Sequence, residues 1–498
     1  MPEPARFLKM KIKSYILFYL LIGFLALSRF IYLGTVPGLH GDEALYGIKT
    51  CFMMQKPFTL IGFNSYTGPI ISYLRLPFYY LTGISIFSAR LPIVILSLAT
   101  IFYVYKLLKE TYNNSTGIIG ALLFLAIPWS FIDSRFADET HTTLVFFAIC
   151  GLYYLNADKK ILNRVLAALF LGMGFFNHMI FMIVPCSYFA YFLIKNKFKI
   201  KLDKPNLLFF VIFLSFLILR MGLALKYQFF SAEGSGINYD IYQAINKDVI
   251  PKFMSLGPYF LNMLDGNAFY ERMTGRVLFY VIPLNTFLFI ASFLFLIFRY
   301  KYNPEFKDKD RMFVCIFILN YIINAVFLMQ FALRYFLVTL MFATILMAIF
   351  IGTSRIRDLF RVILIALVIV ANCSYLWFNY IYSFRQTGGS VHSFLAGNFI
   401  ENSDGFIDTK ILYDYLKKKD IRYILVPENY PRWQLIFLDL KEKRLDIKAR
   451  PENISASRVY FISYKEYKSP DMYNISKGYS VSKENTGLDN YQIFLLKK

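Results

Sequence analysis

Residues 15–34 of the chain read YILFYLLIGFLALSRFIYLG, and residues 39–50, a few positions later, read LHGDEALYGIKT. The first stretch is apolar over about twenty residues, which is enough for a helix to cross the roughly 30 Å hydrocarbon core of a bilayer. Asp42 and Glu43 therefore follow closely after the point where a membrane helix ends. The two carboxylates either belong to a solvated loop or face a site at the membrane surface.

The composition of the whole chain supports a membrane protein. The 498 residues are 57% hydrophobic and 19% aromatic, with a mean hydropathy of +0.48. A soluble protein this apolar would expose large apolar patches. The net charge of +22 could suggest nucleic-acid binding, but Lys and Arg fall mainly in short loops between apolar runs, as in polytopic membrane proteins. We therefore predict a membrane protein that has no nucleic-acid partner.

The apolar runs predict eleven transmembrane helices. They fall roughly at 14–33, 88–106, 117–132, 141–157, 165–176, 179–194, 206–225, 277–298, 312–330, 336–353 and 362–382. Residues 165–194 are interpreted as a hairpin around GFFNHM, because only two helices there keep every later Lys-rich loop on one side. The same rule predicts a cytoplasmic N-terminus and large outer loops at 34–87 and 226–276.

The chain changes character after about residue 384, where it becomes polar and mixed. Residues 408–420, DTKILYDYLKKKD, have the spacing of an amphipathic helix, and IRYILVP, RVYFISY and YQIFLL are strand-like runs. We predict a transmembrane domain over 1–383 and a small extracytoplasmic α/β domain over 384–498. The expected fold class is thus an all-α polytopic bundle with a small C-terminal α/β domain.

Charged residues in the outer half of the membrane are costly to place there, so they are candidates for function. They are Asp42, Glu43, Arg75, Arg90, Asp133, Arg135, Asp138, Glu139, His141, His178, Glu271, Arg272, Arg276 and Arg334. Carboxylates can accept a proton or bind a cation, and arginines suit phosphate. These residues all map to one side of the predicted topology, which favours chemistry or binding at the outer surface.

Each candidate also has a purely structural interpretation. Leu45, Ile48 and Phe52 have helical spacing, so Asp42 is expected at the N-cap of a short interfacial helix. By the same reasoning Asp138 caps the following span, and His178 at the hairpin tip is a satisfied structural residue. The segment YERMTGR and the pair Arg334–Tyr335 would then be interfacial anchors.

Four segments together resemble a known family. They are GDEALY at 41–46, YTGPIISYLRLPFYYLTGISIFSARLP at 66–92, GMGFFNHMIFMIVP at 172–185 and ALRYFLVTL at 332–340. In this order they resemble the GT-C class of lipid-sugar-dependent glycosyltransferases. The nearest likeness is to the branch that contains protein O-mannosyltransferases and bacterial lipid A aminoarabinose transferases. The resemblance covers about residues 14–355.

The resemblance implies an inverting glycosyltransferase whose donor is a polyprenyl-phosphate-linked sugar. It implies Asp42 as the catalytic base, with Glu43 either positioning it or helping to hold an acceptor or a metal ion. The acceptor would be a hydroxyl on a glycan, lipid or protein. Asp138, Glu139 and His141 would serve the acceptor or a divalent metal ion. The expected donor-phosphate contacts are Arg75, Arg272, Arg276, Arg334, Tyr335 and His178.

A transporter or flippase of lipid-linked sugars is one alternative, and a non-catalytic membrane scaffold whose outer domain binds a partner is another. A transporter would place ionisable or helix-breaking residues at the bilayer midplane and would show a repeat between its halves. Charges in the middle of the predicted spans are scarce in this sequence. The sequence therefore favours the enzyme.

Overall fold

The computed structural model describes residues 18–56, 59–60, 62, 66–157, 160–199, 203–230, 249–266, 283–302, 306–327, 333–382, 409–427, 429–449, 458–464, 479–484 and 491–497. Arg272 and Arg276, two of the predicted phosphate contacts, lie outside the described residues.

The described residues before 383 lie mostly in helices. The helices are α1 Phe18–Ser28, α2 Gly41–Gln55, α3 Ile70–Thr82, α4 Ile86–Thr111, α5 Asn114–Ala126, α6 Pro128–Asp133, α7 Thr142–Asn156, α8 Ile161–Asn177, α9 Ile183–Lys195, α10 Lys204–Phe230, α11 Val249–Leu264, α12 Leu284–Tyr302, α13 Lys307–Phe327, α14 Leu337–Thr353 and α15 Asp358–Tyr375. A 3₁₀ turn, Leu333–Phe336, leads into α14, and a π-helical turn, Leu376–Tyr382, follows α15.

A helix occupies each of the eleven predicted apolar segments. The predicted hairpin is confirmed, because α8 and α9 are separate helices joined through the 3₁₀ turn Met179–Met182. Four described helices are long and apolar enough to cross a bilayer, and several others are shorter apolar helices. The chain is therefore an integral membrane protein.

The predicted outer loops contain more structure than the apolar runs indicated. The loop 34–87 holds α2, which was expected, and also α3. The loop 226–276 holds α11. Helix α3 has thirteen residues and α11 has sixteen. Both are shorter than the roughly twenty residues of a spanning helix, so the length of an apolar run does not indicate them.

The centre of the bundle is formed by α5 and α14, whose residues are almost all buried. By contrast, α10 and α15 carry many exposed apolar residues, including Ile218 and Val370. Exposed apolar side chains on a bundle of this kind suit contact with lipid tails. The core therefore lies on the α5–α14 axis, and α10 and α15 form part of the periphery.

In the C-terminal domain, the described residues form a five-stranded sheet and two helices. The strands are β1 Tyr423–Leu425, β2 Asp446–Lys448, β3 Arg458–Tyr464, β4 Ser480–Glu484 and β5 Tyr491–Lys497, in the order β2-β1-β3-β5-β4. Strand β1 pairs in parallel with β2 and β3, and β5 pairs antiparallel with β3 and β4. The helices are α16 Thr409–Lys418 and α17 Asn429–Asp439.

The predicted amphipathic helix and three predicted strands correspond to α16, β1, β3 and β5. Helix α17 and the strands β2 and β4 were not predicted. Buried Leu412, Leu416, Ile424 and Ile493 form the core between α16 and the sheet. The other helix, α17, packs against α2 at one end of the transmembrane bundle.

Candidate active site

The first turn of α2 is closed by His40 and not by Asp42. Nδ1 of His40 accepts the backbone N–H of Asp42 at 3.2 Å, and a carboxylate oxygen of Glu43 accepts the backbone N–H of His40 at 3.0 Å. This is a capping box with a histidine at the N-cap. The prediction that Asp42 is the N-cap is therefore wrong. Because His40 takes that role, the Asp42 side chain is available for other contacts.

Glu43 is fully engaged inside the protein. Arg90 donates from Nε to one carboxylate oxygen at 2.9 Å and from Nη2 to the other at 2.6 Å. The backbone N–H groups of Ala137 and His40 donate to the same two oxygens. Burial opposes the charge, but Arg90 and these donors hold the pKa of Glu43 below its usual value. Glu43 therefore ties the start of α2 to α4 and to the segment before α7.

Asp42 faces a different partner, although it is the neighbour of Glu43. Nη1 of Arg334 lies 3.0 Å from Oδ2 of Asp42 and 3.8 Å from Oδ2 of Asp138. Asp42 keeps 17% of its side-chain surface exposed, whereas Glu43 and Asp138 keep 1% each. The structure thus brings together Asp42, Asp138 and Arg334, three predicted site residues from distant parts of the chain. Among the carboxylates of Asp42, Glu43 and Asp138, that of Asp42 is the most accessible.

Asp138 is held by its own segment as well as by Arg334. Its Oδ1 accepts hydrogen bonds from the backbone N–H groups of Thr140 and His141, at 2.9 and 3.1 Å. Nε2 of His141 lies 3.2 Å from Oδ2 of Asp138, and Nδ1 of His141 lies 2.7 Å from Oδ1 of Asp133. An imidazole ring between two carboxylates is expected to be a cation.

The pKa shifts agree with this arrangement. Burial disfavours the charge of His141, but Asp138 and Asp133 raise its pKa to about 10. Burial also disfavours the charge of Asp138, yet His141 and Arg334 hold the pKa of that carboxyl well below its usual range. His141 is thus an imidazolium that keeps Asp138 ionised beside Arg334.

Glu139 is a buried carboxyl in a different state. Burial, and then the charges of Asp138 and Asp42, raise the pKa of Glu139 to about 8. Its backbone oxygen accepts hydrogen bonds from Nδ2 of Asn177 at 2.6 Å and from Oγ1 of Thr143 at 2.7 Å. Burial and the neighbouring carboxylates therefore favour the protonated form of Glu139, and its backbone links the site to the hairpin tip.

The hairpin tip contributes His178 and packs against Tyr335. The His178 ring centroid lies 6.1 Å from that of Tyr335 and 5.4 Å from that of Tyr66. Burial, the Arg334 charge and, more weakly, the Arg220 charge lower the pKa of His178 to about 3. Nδ1 accepts the backbone N–H of Ile180 at 3.1 Å, so the single proton of this neutral ring is on Nε2. His178 is therefore a neutral hydrogen-bond donor.

Two other buried arginines lie on α3 and α10. Arg75 is fully buried and donates from Nη1 to the backbone oxygen of Glu43 at 3.3 Å, so it lies behind the acidic pair. Its phosphate role stays a prediction. Arg220 was not proposed from the sequence, yet it is fully buried on α10 with its guanidinium carbon 6.0 Å from the centroid of the Phe176 ring. An arginine inside an apolar span is the signal that could have identified it.

A small groove of about 20 Å³, room for about one water molecule, lies beside Arg334 and Tyr335. Its remaining lining residues are Leu144, Ile180, Phe181, Ile183, Val184, Asn320, Asn324 and Val338. The groove is therefore lined mostly by apolar side chains, together with an arginine, a tyrosine and two asparagines. The positive charge of Arg334 beside apolar side chains is the combination that would suit a phosphate attached to an apolar chain.

His40, Asp42 and Asp138 are the described residues nearest to a metal-ligand set. Each offers one ligand atom, and the three atoms lie within 4.8 Å of one another. However, Nδ1 of His40 already accepts the Asp42 N–H, and the Arg334 guanidinium reaches both carboxylates. A divalent ion at this position would meet that guanidinium at close range and be repelled. The residues fit a metal ion poorly, because Arg334 already supplies the positive charge.

The sequence matches the family model described as dolichyl-phosphate-mannose-protein mannosyltransferase over residues 66–220. No curated protein matches the sequence of this chain. Solved structures are informative about the fold. The crystal structure of ArnT from Cupriavidus metallidurans bound to undecaprenyl phosphate matches with a TM-score of 0.60 at 11% identity, over 97% of this chain and 98% of that chain.

The fold is that of the GT-C glycosyltransferases. Two further solved structures have it in common with this chain. AglB from Archaeoglobus fulgidus, an archaeal oligosaccharyltransferase in complex with an inhibitory peptide and a dolichol-phosphate, matches with a TM-score of 0.51 at 12% identity, over 97% of this chain and 74% of that chain. The arabinofuranosyltransferase AftD from Mycobacteria matches with a TM-score of 0.51 at 11% identity, over 96% and 40% of the respective chains.

Proposed function

We propose that this chain is an inverting glycosyltransferase that moves a sugar from a polyprenyl-phosphate donor to an acceptor hydroxyl on a glycan, lipid or protein. The match to a mannosyltransferase family model and the GT-C fold support transfer of a lipid-linked sugar. The reaction would take place on the extracytoplasmic face, with the N-terminus cytoplasmic, as the distribution of Lys and Arg favours. The transferred sugar would be a hexose or a pentose.

The observation that carries this proposal is the position of Arg334. Its guanidinium lies between Asp42 and Asp138 and also lines the apolar groove. A polyprenyl tail that ran past the apolar residues of this groove into the lipid would bring its phosphate to Arg334 and Tyr335, with His178 as a neutral donor nearby. The sugar on that phosphate would lie next to the carboxylate of Asp42.

The proposed chemistry is a single displacement. The acceptor oxygen attacks the anomeric carbon and forms the new glycosidic bond, while the bond from that carbon to the phosphate oxygen breaks. Asp42 takes the proton of the acceptor hydroxyl. The electron pair of the broken bond stays on the polyprenyl phosphate, whose growing negative charge Arg334 stabilises.

The surrounding residues would support these two groups. Glu43 fixes the start of α2 through Arg90, and the imidazolium of His141 keeps Asp138 ionised so that Arg334 stays charged and oriented. Glu139, as a neutral acid, would donate a hydrogen bond to the acceptor or donor without adding negative charge. Arg75 would stabilise the first turn of α2 by donating to the backbone oxygen of Glu43.

The test is a transfer assay on the purified protein. Radiolabelled polyprenyl-phosphate sugars, hexoses and pentoses, are incubated with the protein and membrane extract, and the labelled product is identified by mass spectrometry. We expect a covalent product with wild type and none with Asp42→Asn. Asp358→Asn, at an exposed acid on α15, is the matched control and should be active.

The outcomes separate the enzyme from the flippase. Movement of the labelled lipid across vesicles with no covalent product would favour the flippase and contradict the proposal. Turnover by Asp42→Asn close to that of wild type would refute the assignment of the base.

A further inference from the structure

The C-terminal domain contacts the transmembrane domain next to the catalytic motif. Helix α17 lies against α2, with Phe437 packed in a cluster with Leu39, Ala44, Tyr79 and Ala89. Phe437 is 3% exposed and Ala44 is fully buried. The interface is therefore a closed apolar contact on the helix whose first turn carries Asp42.

Gly47 allows this close approach. A Cβ atom on Gly47 would lie 2.6 Å from Cδ2 of Phe437 and 3.1 Å from the hydroxyl oxygen of Tyr79. Carbon atoms do not approach to 2.6 Å without a shift, so any larger residue at position 47 would force the Phe437 ring out of its present position against α2. The seating of the C-terminal domain thus depends on a glycine in the catalytic helix itself.

Gln434 makes a polar contact at the same interface. It is fully buried, and its Nε2 donates to the backbone oxygen of Leu39 at 2.6 Å. Its Oε1 accepts from Oγ1 of Thr409 at the start of α16. A buried amide with both ends engaged holds its partners in one orientation. Through Gln434, the C-terminal domain therefore restrains the residue immediately before the N-cap of α2.

The restraint leads directly to the catalytic carboxylate. Leu39 is followed by His40, whose ring holds the backbone N–H of Asp42. Asp42 in turn pairs with Arg334. A movement of the Leu39 carbonyl would rotate the His40 cap and shift Asp42 relative to Arg334. Displacement of a reacting group by about 1 Å can reduce a rate by about a hundredfold.

We propose that Gln434 is a positioning residue for Asp42, and that the C-terminal domain is therefore a structural part of the active site. This inference rests on the proposed function, since Asp42 must be the base for its position to matter. Gln434 touches neither donor nor acceptor in this proposal. It acts through Leu39 and His40.

The experiment compares Gln434→Met with wild type in the full-length protein. Methionine keeps the length of glutamine but cannot donate to Leu39, and its sulfur is only a weak acceptor for Thr409. We expect kcat to fall by about tenfold to a hundredfold, with the donor KM unchanged within about twofold because the phosphate contacts are intact. Gln492→Met makes the same chemical change on β5 of the same domain, away from α2, and should leave kcat unchanged.

A second variant approaches the interface from the other side. Gly47→Ala adds the Cβ that would collide with Phe437, and it should lower kcat in the same way as Gln434→Met. Equal reductions in kcat by Gln434→Met and Gln492→Met would indicate general destabilisation of the domain and would overturn the proposal. A rise in the donor KM of Gln434→Met without a fall in its kcat would also overturn the proposal.

Hydrogen exchange gives a readout that does not require turnover. The backbone N–H groups of residues 42–46 should exchange faster in Gln434→Met than in wild type or Gln492→Met. Unchanged exchange overturns the positioning role whether or not the protein transfers sugar. If exchange is faster in Gln434→Met but no donor gives turnover even with wild type, the proposed function is refuted. The restraint that Gln434 places on the start of α2 would still stand.

Discussion

Glu43→Gln should destabilise the fold strongly, whereas the same change at Asp42 should not. Both oxygens of Glu43 accept two hydrogen bonds each, from Arg90 Nε and Ala137 N on one side and from Arg90 Nη2 and His40 N on the other. Whichever way a glutamine amide turns, its NH₂ group faces two donors. The substitution therefore removes the compensating charge from the buried Arg90 and also creates a donor–donor conflict.

The expected loss in the free energy of unfolding is about 3–5 kcal/mol, the usual cost of breaking a buried ion pair by removing one partner. The hydrogen bonds lead to a similar value, since each bond to a charged group contributes roughly 1.5–3 kcal/mol and two such bonds join Glu43 to Arg90. Asp42→Asn should cost about 1 kcal/mol or less, because Asp42 is partly exposed and Arg334 keeps Asp138 as a partner.

The measurement is unfolding of the purified variants in mixed detergent and SDS micelles, followed by tryptophan fluorescence. The midpoint shift at constant slope gives the change in free energy. Asp358→Asn, at an exposed carboxyl, controls for the general effect of replacing an acid by an amide. If Glu43→Gln unfolds within about 1 kcal/mol of wild type, the structural role assigned to Glu43 is refuted.

Three further predictions concern the site itself. Arg334→Ala should raise the donor KM by about tenfold or more, because one charge-assisted hydrogen bond is lost, and should affect the acceptor KM less. Steady-state kinetics test this, with Arg357→Ala, at an exposed arginine, as the control. The donor KM of wild type should rise above about pH 8, where Glu139 ionises. The ionised carboxylate adds negative charge beside Asp138, Asp42 and Arg334. A pH profile of Glu139→Gln should lack this rise. Activity should survive EDTA because Arg334 supplies the cation between the carboxylates; loss that Mg²⁺ or Mn²⁺ restores would contradict this.

Part of the site was accessible from the sequence because it depends on local environment. Asp42, Asp138 and Arg334 follow or precede apolar runs, and the charge distribution places them on one side. Their neighbour Glu43 shows where this reasoning stops. Adjacent carboxylates look alike in sequence, yet one lies buried against Arg90 and the other faces Arg334. That difference arises from the direction of the first turn of α2, which the His40 cap determines.

The sequence by itself determined the membrane class, the positions of the apolar helices, the hairpin at His178 and the main strands of the C-terminal domain. These features follow from hydrophobic period and charge asymmetry, which act over a few turns of chain. Only the tertiary structure decided which groups meet: Arg334 and Asp42 are 292 residues apart, and Gln434 and Leu39 are 395 residues apart. Such pairs depend on how helices and domains pack, and the energy of each contact exists only after that packing has formed.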